Sequence, residues 1–244
     1  MRDYAKETQL RVRWLKEHLE KAKASGFVFG NSGGKDCALV SILCKMASDK
    51  TIGVIMPCQS KQNYTTDTQD ALAVSQQFDI QVRRVDLTQT KKTLLNALTG
   101  QTNPDYTANG AFANINPRLR MTTLYTIAQT ENCLVVGTGN RSEISLGYFT
   151  KWGDGGYDLN PIGDLTVREV YEFLAYLNAP LSIRTKKPSA GLWEGQTDEQ
   201  ELGVTYEEVD EYLLNGNATE KIKQRVDNSI KNTSHKRVLT IYPN

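Results

Sequence analysis

The chain has 244 residues, of which 39% are hydrophobic and 23% charged, and its 29 Lys and Arg nearly balance its 28 Asp and Glu. This length and composition are typical of a folded protein with a sizeable core and exclude an intrinsically disordered chain. The formal net charge of +1 also argues against a dedicated nucleic-acid or membrane-surface binder.

Cysteine usage and the apolar runs narrow the class of protein further. Cys37, Cys44, Cys58 and Cys133 form no C-x-x-C pair, so we expect reduced thiols and neither a disulfide framework nor a cysteine-based zinc site. The apolar runs are too short to span a bilayer, and the first residues lack the apolar core of a secretion signal. These features predict a cytoplasmic protein without a membrane or nucleic-acid partner.

The first half of the chain alternates between predicted strands and helices. An amphipathic helix is predicted at 3–24, where Val12, Leu15, Leu19 and Ala22 share one face. The next elements, in chain order, are a strand at 26–30, a helix at 36–46, a strand at 51–56, a helix at 65–78, a strand at 80–87, helices at 88–98 and 117–130, and a strand at 133–137. This alternation predicts an α/β fold with a doubly wound, mainly parallel sheet flanked by helices.

The second half has a different pattern. Residues 147–164 are rich in Gly and Asp and predict a long loop, which is followed by a helix at 166–177. A second long loop is predicted at 184–203, and two short helices near 205–214 and 218–232. Because no repeat or linker interrupts the chain, we expect a single domain over 1–244, with a core at about 26–180 and a C-terminal loop and helices at about 181–244.

A glycine-rich turn joins the first predicted strand to the next helix. Its residues are Gly30, Asn31, Ser32, Gly33, Gly34, Lys35, Asp36 and Cys37. Glycine amides, a serine hydroxyl and the start of a helix together favour phosphate binding. The turn is not a Walker A loop, which needs Ser or Thr where Asp36 stands, and it is not a G-x-G-x-x-G motif. A helix start without a ligand is the alternative.

This turn resembles the S-G-G-x-D-S pyrophosphate loop of the N-type ATP pyrophosphatases, with Cys37 in place of the last serine. The resemblance implies the adenine nucleotide alpha hydrolase-like fold of that superfamily. Its members cleave ATP between the α and β phosphates and adenylate a substrate. The resemblance also implies that the turn holds the departing pyrophosphate and that Asp36 helps to place Mg²⁺. Several adenylating families share the loop, so it does not select the reaction.

Later segments resemble the signatures of the ammonia-dependent NAD synthetases. They are NINPRLRM at 114–121, GTGNRSEISLGYFTKWGDGGYDLNPIGDL at 137–165, KPSAGLWEGQTDEQELG at 187–203 and HKR at 235–237. The resemblance runs from about residue 26 to 237 in the family's order. It implies a carbon–nitrogen ligase that adenylates the nicotinate carboxylate of deamido-NAD with ATP and amidates it with ammonia. The products would be NAD, AMP and pyrophosphate, in the last step of NAD biosynthesis.

The resemblance also implies roles for individual residues. Lys35, Asp36 and Glu143 match the catalytic group, in which Asp36 and Glu143 match the magnesium ligands. The implied ATP contacts are residues 30–37 with Met56, Thr138 and Ser189, and the implied deamido-NAD contacts are Arg118, Lys151, Asp158, His235 and Lys236. Ordinary structural roles stay open beside these, since the methionine fits a core position, the hydroxyls fit turns and caps, and the charged groups fit a solvated surface.

The nitrogen donor and the assembly follow from the same resemblance. Glutamine-using relatives add a glutaminase domain of several hundred residues, whereas the synthetase resemblance and its flanking helices account for all 244 residues here. Free ammonia is therefore the expected nitrogen donor, with ATP as co-substrate. Relatives of this size are homodimers that bind the dinucleotide at the subunit interface, and the same assembly is expected here.

Two departures from the family pattern leave alternatives open. Val167 stands where many relatives carry a lysine that contacts ATP, and Asn116-Pro117 stands where Lys-Ala is common. Whether Arg168 replaces that lysine is open. The rival functions are another adenylating enzyme with this loop, such as a GMP synthetase or a tRNA-modifying enzyme, and a nucleotide-binding regulator without catalysis. The lack of C-x-x-C pairs and of surplus basic residues argues against the tRNA enzyme, and retention of both carboxylates argues against the regulator.

Overall fold

The computed structural model describes residues 2–58, 66–103, 109–186 and 198–238. Within these ranges, four strands form one sheet in which every neighbouring pair is parallel. The strands are β1 (Gly26–Gly30), β2 (Thr51–Ile55), β3 (Gln81–Arg84) and β4 (Cys133–Val136), in the order β3-β2-β1-β4. The predicted parallel α/β sheet is confirmed.

Helices precede and follow these strands throughout the described part of the chain. They are α1 (Tyr4–Ala22), α2 (Lys35–Ala47), α3 (Thr66–Gln77), α4 (Thr88–Ala97), α5 (Asn109–Ala113), α6 (Ile115–Glu131), α7 (Arg141–Leu146), α8 (Val167–Tyr176), α9 (Leu181–Thr185), α10 (Asp198–Leu202), α11 (Tyr206–Asn215), α12 (Glu220–Asn232) and α13 (Ser234–Arg237). In the ranges that the structure describes, no helix has the length and apolar character needed to cross a membrane.

The order of the strands creates a crevice between β1 and β4, at the carboxyl ends of the strands. From β1 the chain passes through α2 to β2 and then through α3 to β3, whereas β4 lies on the other side of β1. The direction of winding therefore changes between β1 and β4. Doubly wound sheets bind their ligands at this position, beyond the carboxyl ends of the strands.

Helices cover both faces of the sheet. Phe27 and Phe29 of β1 belong to a buried cluster with residues of α1, α2 and α8. Val28 belongs to a second cluster, which includes Ile52 of β2 and Ala128 of α6. Successive strand residues point to opposite faces, so a strand that is apolar at every position must be covered on both. This explains the continuous apolar run of β1.

The buried face of α1 differs from the predicted one. Leu15 and Leu19 are buried as expected, but Ala22 is exposed. The face extends instead toward the start of the helix, where Tyr4 is buried and its hydroxyl donates to Glu172 of α8 at 2.7 Å. The buried face therefore runs from Tyr4 to Leu19, and its tyrosine is not part of a simple apolar repeat.

Short helices are the elements that the sequence prediction missed. The loop predicted at 184–203 contains the end of α9 and all of α10, and α5, α7 and α13 also lie outside the predicted helices. The strand predicted at 80–87 is limited to β3. Helices of four to six residues are shorter than the window in which helical periodicity can be detected.

The two edge strands of the sheet are protected in different ways. β3 exposes Arg84 and carries Arg83 beside it. On the other edge, a carboxylate oxygen of Asp158 accepts from the backbone N–H of Val135 at 2.8 Å. Leu159 then forms an isolated parallel bridge with the end of β4. The loop after α7 thus covers the outer edge of β4.

Asp164 makes a pH-dependent contribution to stability. Burial alone would raise the pKa of this carboxyl, but the hydrogen bond and charge of Arg11, with the charge of Arg2, outweigh burial and lower it. The stabilisation is present above the unfolded pKa of about 3.9 and is lost as the pH falls through the lower folded value. It therefore disappears below about pH 4.

We expect Asp164→Asn to reduce the free energy of unfolding at pH 7 by at most about 1 kcal/mol, because solvent screens this half-exposed carboxylate. The difference from the wild type should shrink below about pH 4, where the wild-type carboxylate becomes protonated. Urea unfolding at pH 7 and below about pH 4 measures the difference in the free energy of unfolding. Glu17→Gln, at an exposed position of α1, is the control. An equal loss at both pH values would contradict the ion-pair explanation.

Candidate functional site

A cavity opens where the winding of the sheet changes direction, at the carboxyl ends of β1 and β4. Its volume is about 650 Å³, and its wall includes the segments that follow β1, β2 and β4. Side chains of α6, α8 and α13 complete the wall. The loops that follow parallel strands all leave from the carboxyl ends of those strands, so this position brings together residues that are far apart in the sequence.

The glycine-rich turn passes from the end of β1 into the first turn of α2. Gly33 has a φ of +72°, and a Cβ there would lie 2.1 Å from the carbonyl oxygen of Asp67. Glycine alone satisfies both conditions. Gly34 is the N-cap of α2 and makes no side-chain capping hydrogen bond. The first backbone N–H groups of a helix lack intrahelical acceptors, so the turn and α2 offer donors to an anion in the cavity.

Three charged side chains are gathered beside this turn. Lys35 Nζ lies 2.7 Å from a carboxylate oxygen of Asp36 and 3.9 Å from one of Glu143. It also lies 5.9 Å from the ring centres of both Tyr171 and Tyr206. Burial opposes the positive charge, but the two carboxylates outweigh burial and raise the pKa of Lys35. The ammonium group is therefore charged at neutral pH.

Asn140 positions both carboxylates. It is fully buried at the N-cap of α7, where its side-chain oxygen accepts from the N–H of Glu143 at 3.0 Å. A carboxylate oxygen of Glu143 accepts in return from the N–H of Asn140 at 3.1 Å, which completes a capping box. The side-chain amide of Asn140 also donates to Asp36 at 3.1 Å. One side chain thus joins the loop after β4 to the start of α2.

Burial and neighbouring negative charges disfavour the ionised form of Glu143. Burial and the negative charge of Asp36 raise the pKa of Glu143. Burial and the charges of Glu143 and Asp198 likewise raise the pKa of Tyr206. Asp198 is buried at the start of α10 and accepts from the hydroxyls of Tyr206 at 3.2 Å and Tyr148 at 3.3 Å. Carboxylates gathered in this way favour the binding of a cation.

The predicted ATP contacts are mostly brought to the cavity. Met56 and Thr138 line it, and so do the residues of the glycine-rich turn apart from its inner glycine at position 33. Cys37, which replaces the family's serine, also lines it, and burial raises the pKa of its thiol. The side-chain amide of Asn31 donates to a serine hydroxyl of α3 at 3.1 Å, so Asn31 fixes the turn to that helix. Ser189 lies outside the described residues.

The predicted deamido-NAD contacts are divided between the cavity and the surface. Of the five, Lys236 lines the cavity and donates to two carbonyl oxygens of the loop after α7, at 2.8 and 2.9 Å. Lys151 Nζ donates to the carbonyl oxygen of His235 at 2.5 Å, and His235 is exposed. Arg118 is also exposed. Asp158 bonds to β4 and accepts from a tyrosine hydroxyl of α6 at 3.0 Å.

Sequence reasoning assigned no role to three cations that line the cavity. Arg120 donates from Nε to the carbonyl oxygen of Met56 at 3.1 Å, and burial lowers the pKa of this guanidinium. It belongs to the same motif as Arg118, but residues two apart lie on nearly opposite sides of a helix. Only the packing of α6 decides which side faces the cavity. Lys186 and Arg237 are the other two cations.

The structure shows whether Arg168 can replace the lysine that many relatives carry at position 167. Val167 is buried at the start of α8, and its N–H donates to Ser142 at 3.3 Å. Arg168 lies 3.5 Å from Glu211 of α11 and is not among the residues that line the cavity. Arg168 therefore does not supply a cation to the cavity in place of a lysine at 167.

Comparison with known proteins finds relatives that are similar over nearly the whole chain. The family model described as NAD synthase matches residues 7–241. The chain is 46% identical over 242 residues to the NH(3)-dependent NAD(+) synthetase of Carboxydothermus hydrogenoformans, and the match covers 99% of this chain and 98% of that protein.

Two solved structures are similar over the full length. The NMN synthetase from Francisella tularensis has a TM-score of 0.93 at 36% sequence identity, and the match covers 100% of both chains. The NH3-dependent NAD synthetase from Campylobacter jejuni has a TM-score of 0.79 at 28% identity, again over 100% of both chains. The similarity in sequence and the similarity in fold thus extend over the same residues.

We expect Gly33→Ala to destabilise the fold and Gly34→Ala, in the same turn, to be tolerated. A side chain at 33 meets a backbone carbonyl at a positive φ, whereas Gly34 has a φ of −91° and its Cβ would come no nearer than 3.3 Å to a serine hydroxyl. The free energy of unfolding should fall by about 2–4 kcal/mol for Gly33→Ala and by less than about 1 kcal/mol for Gly34→Ala. Chemical denaturation measures both, and equal stabilities would show that the turn adapts to a side chain at 33.

Proposed function

The chain belongs to the NAD synthase family, and we propose that the cavity between β1 and β4 is the active site of an ammonia-dependent NAD(+) synthetase. This ligase adenylates the nicotinate carboxylate of deamido-NAD with ATP and amidates it with ammonia, in the last step of NAD biosynthesis. The observation that carries the assignment of the site is the group formed by the buried Lys35 and the partly buried Asp36 and Glu143, where a glycine-rich turn enters a helix.

The turn and the start of α2 are suited to the phosphates of ATP. Backbone N–H groups at a helix start attract anions, and the hydroxyl of Ser32 adds a donor. Lys35 lies close enough to the turn to offset charge on the departing pyrophosphate. Met56 and Thr138 line the cavity and remain the proposed contacts to the rest of ATP. Ser189 is a further proposed contact, outside the described residues.

Asp36 and Glu143 fit a magnesium ion. Carboxylate oxygens are hard ligands, which Mg²⁺ prefers. Among the residues that the structure describes, no three His, Cys, Asp or Glu side chains come together as a metal cluster. Two protein carboxylates leave the rest of an octahedral shell to phosphate oxygens and water, as is usual for Mg²⁺ at nucleotide sites. Bound there, Mg²⁺ would offset negative charge on the phosphates.

The chemistry needs two displacements. In the first, a carboxylate oxygen of nicotinate bonds to the α-phosphorus of ATP, and the bond to the bridging oxygen breaks as pyrophosphate leaves. In the second, the nitrogen of ammonia bonds to the carboxyl carbon, AMP leaves with the electron pair, and a proton is released. The chain's own residues hold the reacting groups and neutralise charge, so no covalent nucleophile is needed.

The acceptor subsite extends beyond the cavity of one chain. Of its proposed contacts, Lys236 lines the cavity, whereas Arg118 and His235 are exposed and Lys151 lies beside His235. A site shared by two copies of the chain would bring such outlying residues to one dinucleotide. We therefore propose a homodimer, located in the cytoplasm and without nucleic-acid or membrane partners.

One observation favours a second acceptor. The TM-score with the NMN synthetase, 0.93, exceeds that with the C. jejuni NAD synthetase, 0.79. NMN and NAD carry the same nicotinamide, so the amidation chemistry would be unchanged with nicotinate mononucleotide as the acceptor. This smaller acceptor lacks the adenylate half of deamido-NAD and needs fewer contacts outside the cavity.

Parallel assays test both acceptors. The protein is incubated with ATP, Mg²⁺ and ammonium and either deamido-NAD or nicotinate mononucleotide, and NAD or NMN is measured together with pyrophosphate. We expect NAD and pyrophosphate in equal amounts, with a higher kcat/KM for deamido-NAD. A higher kcat/KM for the mononucleotide would establish the second acceptor. Pyrophosphate release that depends on neither acceptor would point to another adenylating enzyme, and ATP binding without turnover to a regulator.

We expect Asp36→Asn to lower kcat by at least about 100-fold, because it removes a negative charge from the proposed magnesium site while keeping the size of the side chain. Steady-state kinetics at increasing Mg²⁺ concentration measures the loss. Asp49→Asn is the matched control, since Asp49 is an exposed carboxylate next to Lys45 at the far end of α2. Near-normal turnover by Asp36→Asn at saturating Mg²⁺ would remove Asp36 from the metal site.

A further inference from the structure

Lys186 holds the glycine-rich turn to helix α3. The residue directly follows α9, and its Nζ donates to the carbonyl oxygen of Gly33 at 3.1 Å. It also donates to the carboxylates of Asp67 and Asp70 on α3, each at 2.8 Å. An ammonium group has three N–H donors, and these three contacts use all of them.

The charges around Lys186 do not favour an anion. One ammonium group faces two carboxylates, and the guanidinium of Arg120 also interacts with Asp67, so the positive charges here are matched by negative ones and none is in surplus. Burial opposes the positive charge of Lys186, but hydrogen bonds to Asp67 and Asp70 outweigh burial and raise its pKa. A phosphate approaching the ammonium group would meet both carboxylates. Lys186 is therefore suited to act through the turn and not by contact with a ligand.

The peptide between Gly33 and Gly34 is the group that Lys186 can control. In a trans peptide the C=O and N–H groups point in opposite directions. While Lys186 holds the Gly33 carbonyl, the Gly34 N–H points toward the hydroxyl of Ser32, at 3.3 Å. Gly34 and Ser32 line the cavity, but Gly33 does not. Two successive glycines resist rotation of this peptide only weakly, and a rotated peptide would turn a carbonyl oxygen toward the cavity.

We propose that Lys186 is a positioning residue that locks the Gly33–Gly34 peptide with its N–H toward the phosphates of ATP. This inference rests on the proposed function of the cavity. An N–H group that points this way can exchange its hydrogen bond to Ser32 for one to a phosphate oxygen, whereas a carbonyl oxygen would repel the phosphate. We call the charge-assisted hydrogen bond from Lys186 to the Gly33 carbonyl oxygen the lock. Rotating the peptide would break this bond, so the lock favours the conformation that binds phosphate.

Calorimetric titration with MgATP tests the lock. We expect Lys186→Met to raise the Kd for MgATP about tenfold, since the turn loses a charge-assisted hydrogen bond. Lys186→Arg keeps N–H donors and a positive charge and should restore most of the affinity. Lys45→Met is the matched control, because Lys45 also pairs with two aspartates, Asp49 and Asp79, at the far end of α2. Its Kd should equal that of the wild type.

A double-mutant cycle separates the lock from direct contact with phosphate. Asp67→Asn combined with Asp70→Asn removes the anchors of the ammonium group. In that background the lock predicts a smaller effect of Lys186→Met on the Kd than in the wild type. An equal or larger effect would overturn the proposal, and so would an unchanged Kd in Lys186→Met alone. Thermal melting checks folding, and if Lys186→Met does not fold, Lys186→Gln, also uncharged, is expected to raise the Kd in its place.

Kinetics add a signature that a purely structural role would not give. The lock acts on ATP, so the KM for ATP should rise in Lys186→Met while the KM for deamido-NAD stays unchanged. Both rising equally would overturn the proposal. A wild-type protein that binds MgATP but forms no NAD or NMN would contradict the proposed function and leave the titration as the test of Lys186. A wild-type protein that does not bind MgATP would contradict both.

Discussion

The cost of burying charge governs the architecture around the cavity. An ammonium group and two carboxylates can leave water only if they are paired and hydrogen-bonded. Lys35 supplies the opposite charge, and Asn140 supplies hydrogen bonds to both Asp36 and Glu143. These contacts require the loops after β1 and β4 to lie side by side, which the sheet order allows because the two strands are neighbours. The hydrogen bonds that stabilise this part of the fold therefore also hold the carboxylates that we propose bind magnesium.

The sequence predicted those parts of the fold that carry a strong local pattern. The four strands, the helices around them and the glycine-rich turn follow from apolar runs and glycine spacing. Short helices such as α7 do not follow from these patterns, because α7 has only six residues and no apolar repeat. Within the site, Lys35, Asp36 and Glu143 come together as their motifs suggested. Arg120 and Lys186 were missed because their roles depend on tertiary packing, which no local pattern records.

The proposed contacts to the two substrates lie on different parts of the molecule. The features suited to ATP lie on α2, the turn before it and the loop after β4, all within one chain. Most of the proposed acceptor contacts lie on exposed segments outside the cavity, among them Arg118 and His235. If these contacts bind the acceptor as proposed, the choice between a dinucleotide and a mononucleotide depends on the surface outside the cavity. The adenylating chemistry can stay constant while acceptor preference changes among related proteins.

The loop after α7 has a consequence beyond nucleotide recognition. An edge strand with open N–H and C=O groups can pair with a strand of another molecule and start aggregation. Asp158 and Leu159 occupy such groups on β4, and on the opposite edge β3 carries Arg83 and Arg84. Charged side chains and covering loops are the usual means by which proteins prevent edge-to-edge association. A segment that we propose contributes to a nucleotide site thus also covers a sheet edge that could otherwise pair with another molecule.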